Sequence, residues 1–297
     1  MLLTLEDLFM DLAYMISRLL PFECMDAAFM QRALLALLLL APLAAVSGIQ
    51  VVNARMAFFS DAISHSAFAG VAIGVLAGIG VGISMPLTAV LVGLSVMFLK
   101  RISRLSSDTV IGVIFSAVAA FGLAVVARDR AAADNMRMFL FGDILTIDPG
   151  QLLMLAGLLI AFFVYQLFAF NRLLLISINP MLAAVHKVRV ELYQYIFAAL
   201  LSLVVICAVR AAGVILVTAL LVVPAAAARN FAKNTAGMFR ITMLISYVCS
   251  VAGLILSAQP EIDVPAGTAV VLCTVVCFAV SLIVAGLRAK RAGDSSL

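Results

Sequence analysis

Asp61 and His65 are the residues in this 297-residue chain whose types and spacing are best suited to chemistry. They are four positions apart in an otherwise apolar stretch, so on an α-helix their side chains share one face. A carboxylate and an imidazole form a partial ligand set that suits Zn²⁺, Mn²⁺ or Fe²⁺, and one too rich in nitrogen for Ca²⁺ or Mg²⁺. Two side chains do not complete a coordination sphere, so the other ligands would come from other helices, water or backbone carbonyls.

The same residues allow a structural interpretation, in which Asp61 and His65 act as a pair that holds two helices together in lipid. Ionisable groups there cost several kcal/mol each unless they face a cavity, a partner or an ion. Small residues recur at every fourth position beside the pair: Ala62, Ser66, Gly70, Gly74 and Gly78. Such a stripe lets a neighbouring helix approach closely. We therefore expect the pair to face the interior of the helix bundle, within reach of a passing ion.

The composition shows what kind of structure must position these residues. Apolar residues make up 66% of the chain, charged residues only 11%, and the mean hydropathy is +1.24. Soluble domains contain about 25% charged residues, so this chain belongs in a bilayer. Only helices and closed barrels satisfy their backbone groups in lipid, and long apolar runs without alternation favour helices. The sequence therefore predicts an all-α, polytopic membrane protein.

Apolar runs long enough to cross a bilayer as a helix, about 20 residues, occur nine times. They are 34–52, 57–78, 81–99, 110–127, 152–170, 193–209, 213–228, 241–257 and 268–287. The run 213–228 is short, and Pro224 within it removes a helix hydrogen bond. A broken or re-entrant segment there would leave eight complete spans. Short, proline-interrupted spans also point towards a transport pathway.

The distribution of basic residues predicts which side of the membrane each loop faces. Of the 19 Lys and Arg residues, 13 fall in one alternating set of loops and six in the other. Because basic residues concentrate in cytoplasmic loops, nine spans place the N-terminus outside and the C-terminus inside. These residues stand in short clusters between apolar runs, so they indicate membrane topology and give no reason to expect nucleic acid as a partner.

The two ends of the chain have patterns of their own. In residues 1–30, apolar positions recur at helical spacing opposite Glu6, Asp7 and Asp11, which predicts an amphipathic helix on the outer membrane face. A single transmembrane domain is expected over 31–288, followed by a cytoplasmic tail over 289–297. The five cysteines give no disulfide framework and are expected to pack as small apolar side chains.

Four segments, in order along the chain, resemble the integral membrane permeases of ABC importers for zinc, manganese or iron, the ABC-3 family. They are 60–66, 107–116, 140–145 and 213–229. The resemblance covers residues 29–288, nearly the whole chain. It implies that Asp61 and His65 contact the metal in the translocation path. Ser60 and Ala69 replace a glycine and a proline that the family usually has near this pair, and neither change removes a ligand.

The segment 171–189 is similar to the part of the family that docks on the ATPase through a short helix, here at about 179–187. Asn179 followed by Pro180 predicts a helix start, with asparagine as N-cap and proline in the first turn. The residues assigned to ATPase coupling are Asn179, Pro180, Met181, Leu182, Val185 and His186. The apolar members of this set would form the contact face. Where the family usually has acidic residues and a later glycine, this chain has Asn179, Pro180 and Lys187.

The resemblance implies a homodimeric permease subunit of the bacterial inner membrane that transports a divalent transition metal. An extracytoplasmic binding protein would deliver zinc or manganese, with iron as a further candidate, and this metal would be cargo with no resident cofactor beside it. Cytoplasmic ATPase subunits would drive transport, because the chain lacks a Gly-x-x-x-x-Gly-Lys-Ser/Thr loop of its own. Protonation of His65 or Asp61 would weaken metal binding, so uptake is expected to fall as pH drops below the histidine pKa.

A proton-coupled secondary metal transporter, working without an ATPase, is the main alternative. It would normally carry several intramembrane acids and histidines in a relay, whereas this chain has one clear pair. An intramembrane metalloprotease would need a His-Glu-x-x-His helix, to which neither histidine belongs. A purely structural membrane subunit does not explain the four family-like segments. Two interpretations, docking of a binding protein or ordinary solvated charge, fit the acids of the outer loops: Asp143, Asp148, Glu261 and Asp263.

Overall fold

The computed structural model describes residues 15, 27–103, 105–127, 144–259, 261 and 264–294, and the regular secondary structure within them is helical. The helices are α1 (Ala28–Asn53), α2 (Phe59–Ala77), α3 (Val81–Ile102), α4 (Ser107–Val126), α5 (Pro149–Ile178), α6 (Pro180–Val185), α7 (Val190–Ala212), α8 (Val214–Phe231), α9 (Thr235–Ser257) and α10 (Ala266–Asp294). A 3₁₀ turn at Ile144–Thr146 precedes α5.

Nine helices in the described part of the chain are long and apolar enough to cross a membrane, which confirms the larger of the two predicted span counts. The exception is α6, which has six residues. Pro224 does not interrupt α8, which continues from Val214 to Phe231 as one helix of 18 residues. The predicted amphipathic segment over 1–30 lies almost entirely outside the described residues.

Helix α1 occupies the centre of the fold, where it contacts α5, α8 and α9. Its sequence is apolar on every side, as expected of a helix that is surrounded by others, and most of its residues are buried. At Gly48 an added Cβ would overlap the carbonyl oxygen of Leu221 and lie 3.5 Å from the Ala225 side chain. The part of α8 around Pro224 therefore packs directly against the backbone of α1.

Helix α2 lies between α3 and α4, and small residues permit both contacts. An added Cβ at Gly70 would lie 2.8 Å from the Cα of Met85 in α3, and one at Gly122 in α4 would lie 2.7 Å from the Cβ of Phe68. The predicted close approach along the small-residue stripe is thus observed against α3. The last member of the stripe, Gly78, instead ends α2 with a left-handed φ of 65°.

Candidate functional site

Asp61 lies in the first turn of α2, and His65 follows one turn later on the same face. The carboxylate is favourably placed there, because the N-terminal end of a helix carries partial positive charge. Both side chains are partly exposed, whereas Ala62 and Ser66 beside them are fully buried. The shared face predicted from the spacing is therefore present.

The pair lines a pocket of about 470 Å³ on the surface of this chain, between α2 and α4. The other lining residues are Phe58, Asp108, Ile111, Gly112 and Phe115. The expectation that Asp61 and His65 face the interior of this chain's helix bundle is therefore wrong. The small-residue stripe is the side of α2 that packs against α3, and this turns the neighbouring Asp61 and His65 side towards the pocket.

Two aromatic rings hold the imidazole of His65. Its centroid is 5.3 Å from that of Phe68 and 5.0 Å from that of Phe115, with interplanar angles of 73° and 88°. Such edge contacts restrict the orientation of a ring. Within the described part of the chain, neither imidazole nitrogen forms a hydrogen bond, and His65 makes no ion pair with Asp61. The structural interpretation, in which the pair joins two helices, keeps one contact: the ring contact between His65 in α2 and Phe115 in α4.

Asp108 also lines this pocket, although it was not among the site residues predicted from the sequence. It lies in the first turn of α4, after the N-cap Ser106, whose Oγ accepts a hydrogen bond from the backbone N–H of Thr109 at 3.2 Å. An acidic residue at a helix start is unremarkable in sequence, and only the packing of α4 against α2 places it beside Asp61. Among the described residues, however, no three His, Cys, Asp or Glu side chains are close enough to hold a metal together.

The predicted start of the short helix α6 is observed. The Asn179 Oδ1 atom accepts hydrogen bonds from the backbone N–H groups of Met181, at 2.9 Å, and Leu182, at 3.1 Å. Pro180 occupies the first helical position, where its missing N–H costs nothing. These two residues fix where the helix begins and its direction relative to α5.

Helix α6 ends in a left-handed residue, Lys187, with φ 60°. The N–H groups of Lys187 and Val188 donate to the carbonyls of Ala184, at 2.9 Å, and Ala183, at 3.0 Å, which is the Schellman arrangement. Glycine is the residue best suited to this conformation. The position at which the sequence departs from the family's later glycine is therefore one that requires a positive φ.

The outward side of α6 is apolar. Met181 and Val185 are 79% and 74% exposed, Leu182 is exposed to a smaller extent, and Ala183 is buried against the rest of the fold. His186 is exposed beside them. Exposed apolar side chains grouped on one short helix are typical of a surface that binds another protein.

The Asp61 end of α2 and helix α6 lie on the same side of the molecule. The turn that precedes α2 carries Arg55 and Met56, and these residues line one cavity together with Pro180 at the start of α6. On this side, Arg101 at the end of α3 pairs with Glu191 at the start of α7, at 2.9 Å. The candidate ligands, in the first two turns of α2, therefore lie near the side of the molecule that carries α6.

The remaining candidates have ordinary surroundings or lie outside the description. The backbone N–H of Asp148, the N-cap of α5, donates to the Gln151 side chain at 3.1 Å, as expected of a residue in a capping box. Glu261 is exposed. Asp143 and Asp263 fall outside the described residues. Cys249 and Cys277 have their sulfur atoms 3.4 Å apart between α9 and α10.

Residues 26–285 match the profile of the ABC 3 transport family, nearly the whole chain. The chain belongs to the ABC 3 transport family. It is 30% identical over 263 residues to the manganese import system permease protein ScaB of Streptococcus parasanguinis, covering 89% of this chain and 93% of that protein. It is also 30% identical over 250 residues to the high-affinity zinc uptake system membrane protein ZnuB of Haemophilus influenzae, covering 84% and 95%.

The fold agrees with a solved structure of PsaBC from Streptococcus pneumoniae in complex with Fab. The TM-score is 0.73 at 28% identity, and the match covers 91% of this chain and 95% of that one. The ABC 3 protein described here is accordingly a multi-pass permease of the inner membrane. ATP hydrolysis belongs to a separate subunit, and an import permease of this type works with an ATPase and a substrate-binding protein. The secondary transporter, the metalloprotease and the purely structural subunit are set aside.

Proposed function

We propose that this ABC 3 permease imports a divalent transition metal, and that Asp61 and His65 contact the ion on its path. Manganese and zinc are the leading cargoes, since relatives of similar identity are named for each, and ferrous iron suits the same ligands. The observation that carries the proposal is the pocket between α2 and α4, where a carboxylate and an unbonded imidazole are held open on one helical face. Metal binding uses the neutral imidazole and the ionised carboxylate.

The permease acts as a homodimer, with the path between the two copies. The ligand pocket lies on the surface of a single chain, and the chain's own described side chains do not complete a metal site. A second copy related by two-fold symmetry would present the same pocket and double the number of ligands. Water and backbone carbonyls supply the remaining coordination.

The membrane orientation has the N-terminus outside and the C-terminus inside. In this orientation the turn before α2 and the start of α4 face the cytoplasm, so Asp61 and Asp108 lie towards the inner end of the path. An extracytoplasmic binding protein delivers the ion to the outer end. The ion reaches Asp61 and His65, and Asp108 lies beside them as a second carboxylate before release into the cytoplasm.

Helix α6 transmits the ATPase cycle to this path. Its exposed apolar residues, Met181, Leu182 and Val185, dock in a groove on the ATPase, and Asn179 fixes the start of the helix that presents them. His186 lies at the edge of this contact. Because α6 shares a side with the Asp61 end of α2, movement of α6 acts close to the ligands.

The test is uptake of radiolabelled zinc and manganese by metal-starved cells that express the permease with its ATPase and binding protein. Asp61→Asn and His65→Gln are each expected to reduce uptake by at least about tenfold, since even residues that only support metal ligands are worth roughly 10–100-fold. Asp148→Asn is the matched control, because asparagine also caps a helix well. Full uptake in both pocket variants, at equal membrane abundance, would refute the role of the pair.

A further inference from the structure

A second, smaller cavity of about 180 Å³ lies between the membrane helices and α6, and it shares no lining residue with the ligand pocket. Polar and charged residues contribute much of its lining: Gln50, Asn53, Arg55, Lys100, Ser177 and Gln194. They come from the end of α1, the turn after it, the end of α3, the end of α5 and the start of α7. The cavity is too small for a drug-sized ligand, which needs about 300 Å³ or more.

The charge of this cavity is positive. Arg55 and Lys100 both line it, and no Asp or Glu is among its described lining residues. Neither cation forms an ion pair within the described part of the chain. Asp108 attracts Lys100 from outside the cavity, without reaching ion-pair distance. The carbonyl ends of α1, α3 and α5 each add about half a negative charge, and the starts of α6 and α7 offset part of it, so the two cations leave the cavity net positive.

Two hydrogen-bond donors that line the cavity have no strong acceptor among the described residues. The Gln50 side chain is 2% exposed, and its Nε2 atom has no hydrogen-bond partner among the described residues. The Lys100 ammonium contacts the Met56 sulfur at 3.8 Å, and a thioether is a weak acceptor. A buried amide without a partner is costly, so an acceptor that enters the cavity would be stabilised.

We propose that this cavity binds a phosphate-type anion, either the headgroup phosphate of an anionic phospholipid or free inorganic phosphate. Two unpaired cations with an unpaired buried amide favour an oxyanion and disfavour the metal cargo. The cavity lies where helices α1, α3 and α5 end, which is the depth of the lipid headgroups, and basic pockets between helices at that depth bind anionic lipids. Pro180 forms part of the wall, so the bound anion contacts the start of α6.

The experiment uses the purified complex of permease and ATPase, stripped of lipid and re-supplied with one probe at a time. Native mass spectrometry measures retention of dioleoylphosphatidylglycerol against dioleoylphosphatidylcholine. Thermal unfolding in sodium phosphate, compared with sodium chloride at equal ionic strength, measures binding of free phosphate. Stronger retention of phosphatidylglycerol than of phosphatidylcholine identifies the lipid as the source of the phosphate. A rise in the unfolding temperature with sodium phosphate, without such retention, identifies the free ion.

The variant Lys100→Gln is expected to weaken whichever probe binds by about fivefold, the effect of removing one nearby cation. Arg101→Gln is the matched control, since it removes the same charge one position away, outside the cavity and from an exposed ion pair. It should change binding by less than about twofold. Arg55→Asn is the second variant, because asparagine tolerates the positive φ of 54° at that position.

Equal losses in Lys100→Gln and Arg101→Gln would show general attraction to a basic surface and would overturn the proposal. The proposal would also be overturned if neither probe binds to the parent complex. Metal uptake is not the readout, so failure here leaves the role of Asp61 and His65 unaffected. Likewise, the uptake result for the Asp61 and His65 variants does not decide whether the cavity binds an anion.

Discussion

Edge contacts with Phe68 and Phe115 hold the imidazole of His65, so its orientation is set before any ligand arrives. Both nitrogen atoms are left for an ion or for water. Asp61 lies one helical turn before His65 in α2, and its carboxylate forms no hydrogen bond to the imidazole. Preorganised ligands with unused coordinating atoms are what a transport site requires, since the ion must be accepted quickly and released again.

Uptake is expected to decrease as the pH falls through the titration range of histidine. Protons compete with the metal for the imidazole, so uptake at subsaturating metal falls by up to about tenfold per pH unit once the imidazole becomes protonated. The measurement is initial uptake into proteoliposomes with equal pH on both sides. The ATPase rate at each pH is the control. The same pH profile in the residual uptake of His65→Gln would contradict metal binding by His65.

Asp108 is expected to strengthen metal binding without being required for it. Replacing it by asparagine removes one of the two carboxylates of the pocket but leaves Asp61 and His65 in place. Metal affinity of the purified complex should fall by roughly tenfold, as for other groups that support metal ligands. Asp148→Asn should leave the affinity unchanged. Equal affinity in Asp108→Asn and the parent would reduce Asp108 to an ordinary first-turn charge.

At the scale of elements, α6 is stabilised by its two ends more than by its length. Six residues are too few for an independent helix, so the Asn179 cap and the Schellman arrangement at Lys187 decide whether it forms. Its exposed apolar side then needs a partner. The cap was evident from the Asn-Pro sequence, whereas the positive φ at Lys187 was not, because lysine gives no signal for it.

The double variant Met181→Ser and Val185→Ser is expected to release the ATPase. These side chains are the most exposed apolar residues of α6, so replacing them removes the docking surface and leaves the buried Ala183 in place. Co-purification of the ATPase with tagged permease measures the effect. The control is Leu167→Ser, since Leu167 is also 79% exposed but lies within the membrane helix α5. Unchanged co-purification would show that the ATPase docks elsewhere and not on the exposed side of α6.

The contact between α2 and α3 is expected to tolerate no side chain at Gly70. A Cβ there would lie 2.8 Å from the Cα of Met85, so Gly70→Ala must push two helix backbones apart. We expect a lower unfolding temperature and a weaker metal site. Gly157→Ala is the control, because nothing lies within 4 Å of an added Cβ and alanine favours a helix. Equal stability of the two variants would contradict the close packing described for α2.

At the scale of the whole molecule, the sequence predicted which segments form helices better than it predicted which helices pack against each other. Nine spans followed from apolar runs, because each membrane helix must satisfy its own backbone within one segment. The face shared by Asp61 and His65 followed from their spacing. Which helix covers that face depends on long-range packing: Gly70 brings α3 to the other side of α2, and α4 then carries Asp108 to the pocket. Local periodicity contains no information about that arrangement.

The most direct test of the central claim is X-ray absorption spectroscopy of the purified complex loaded with zinc. We expect a first shell of nitrogen and oxygen at about 2.0–2.2 Å, with an imidazole signal that is lost in His65→Gln. The control is the complex with its binding protein removed, so that only metal on the permease is measured. A sulfur shell at about 2.3 Å would assign the ion to cysteines instead. That shell, or an imidazole signal unchanged in His65→Gln, would contradict metal contact by Asp61 and His65.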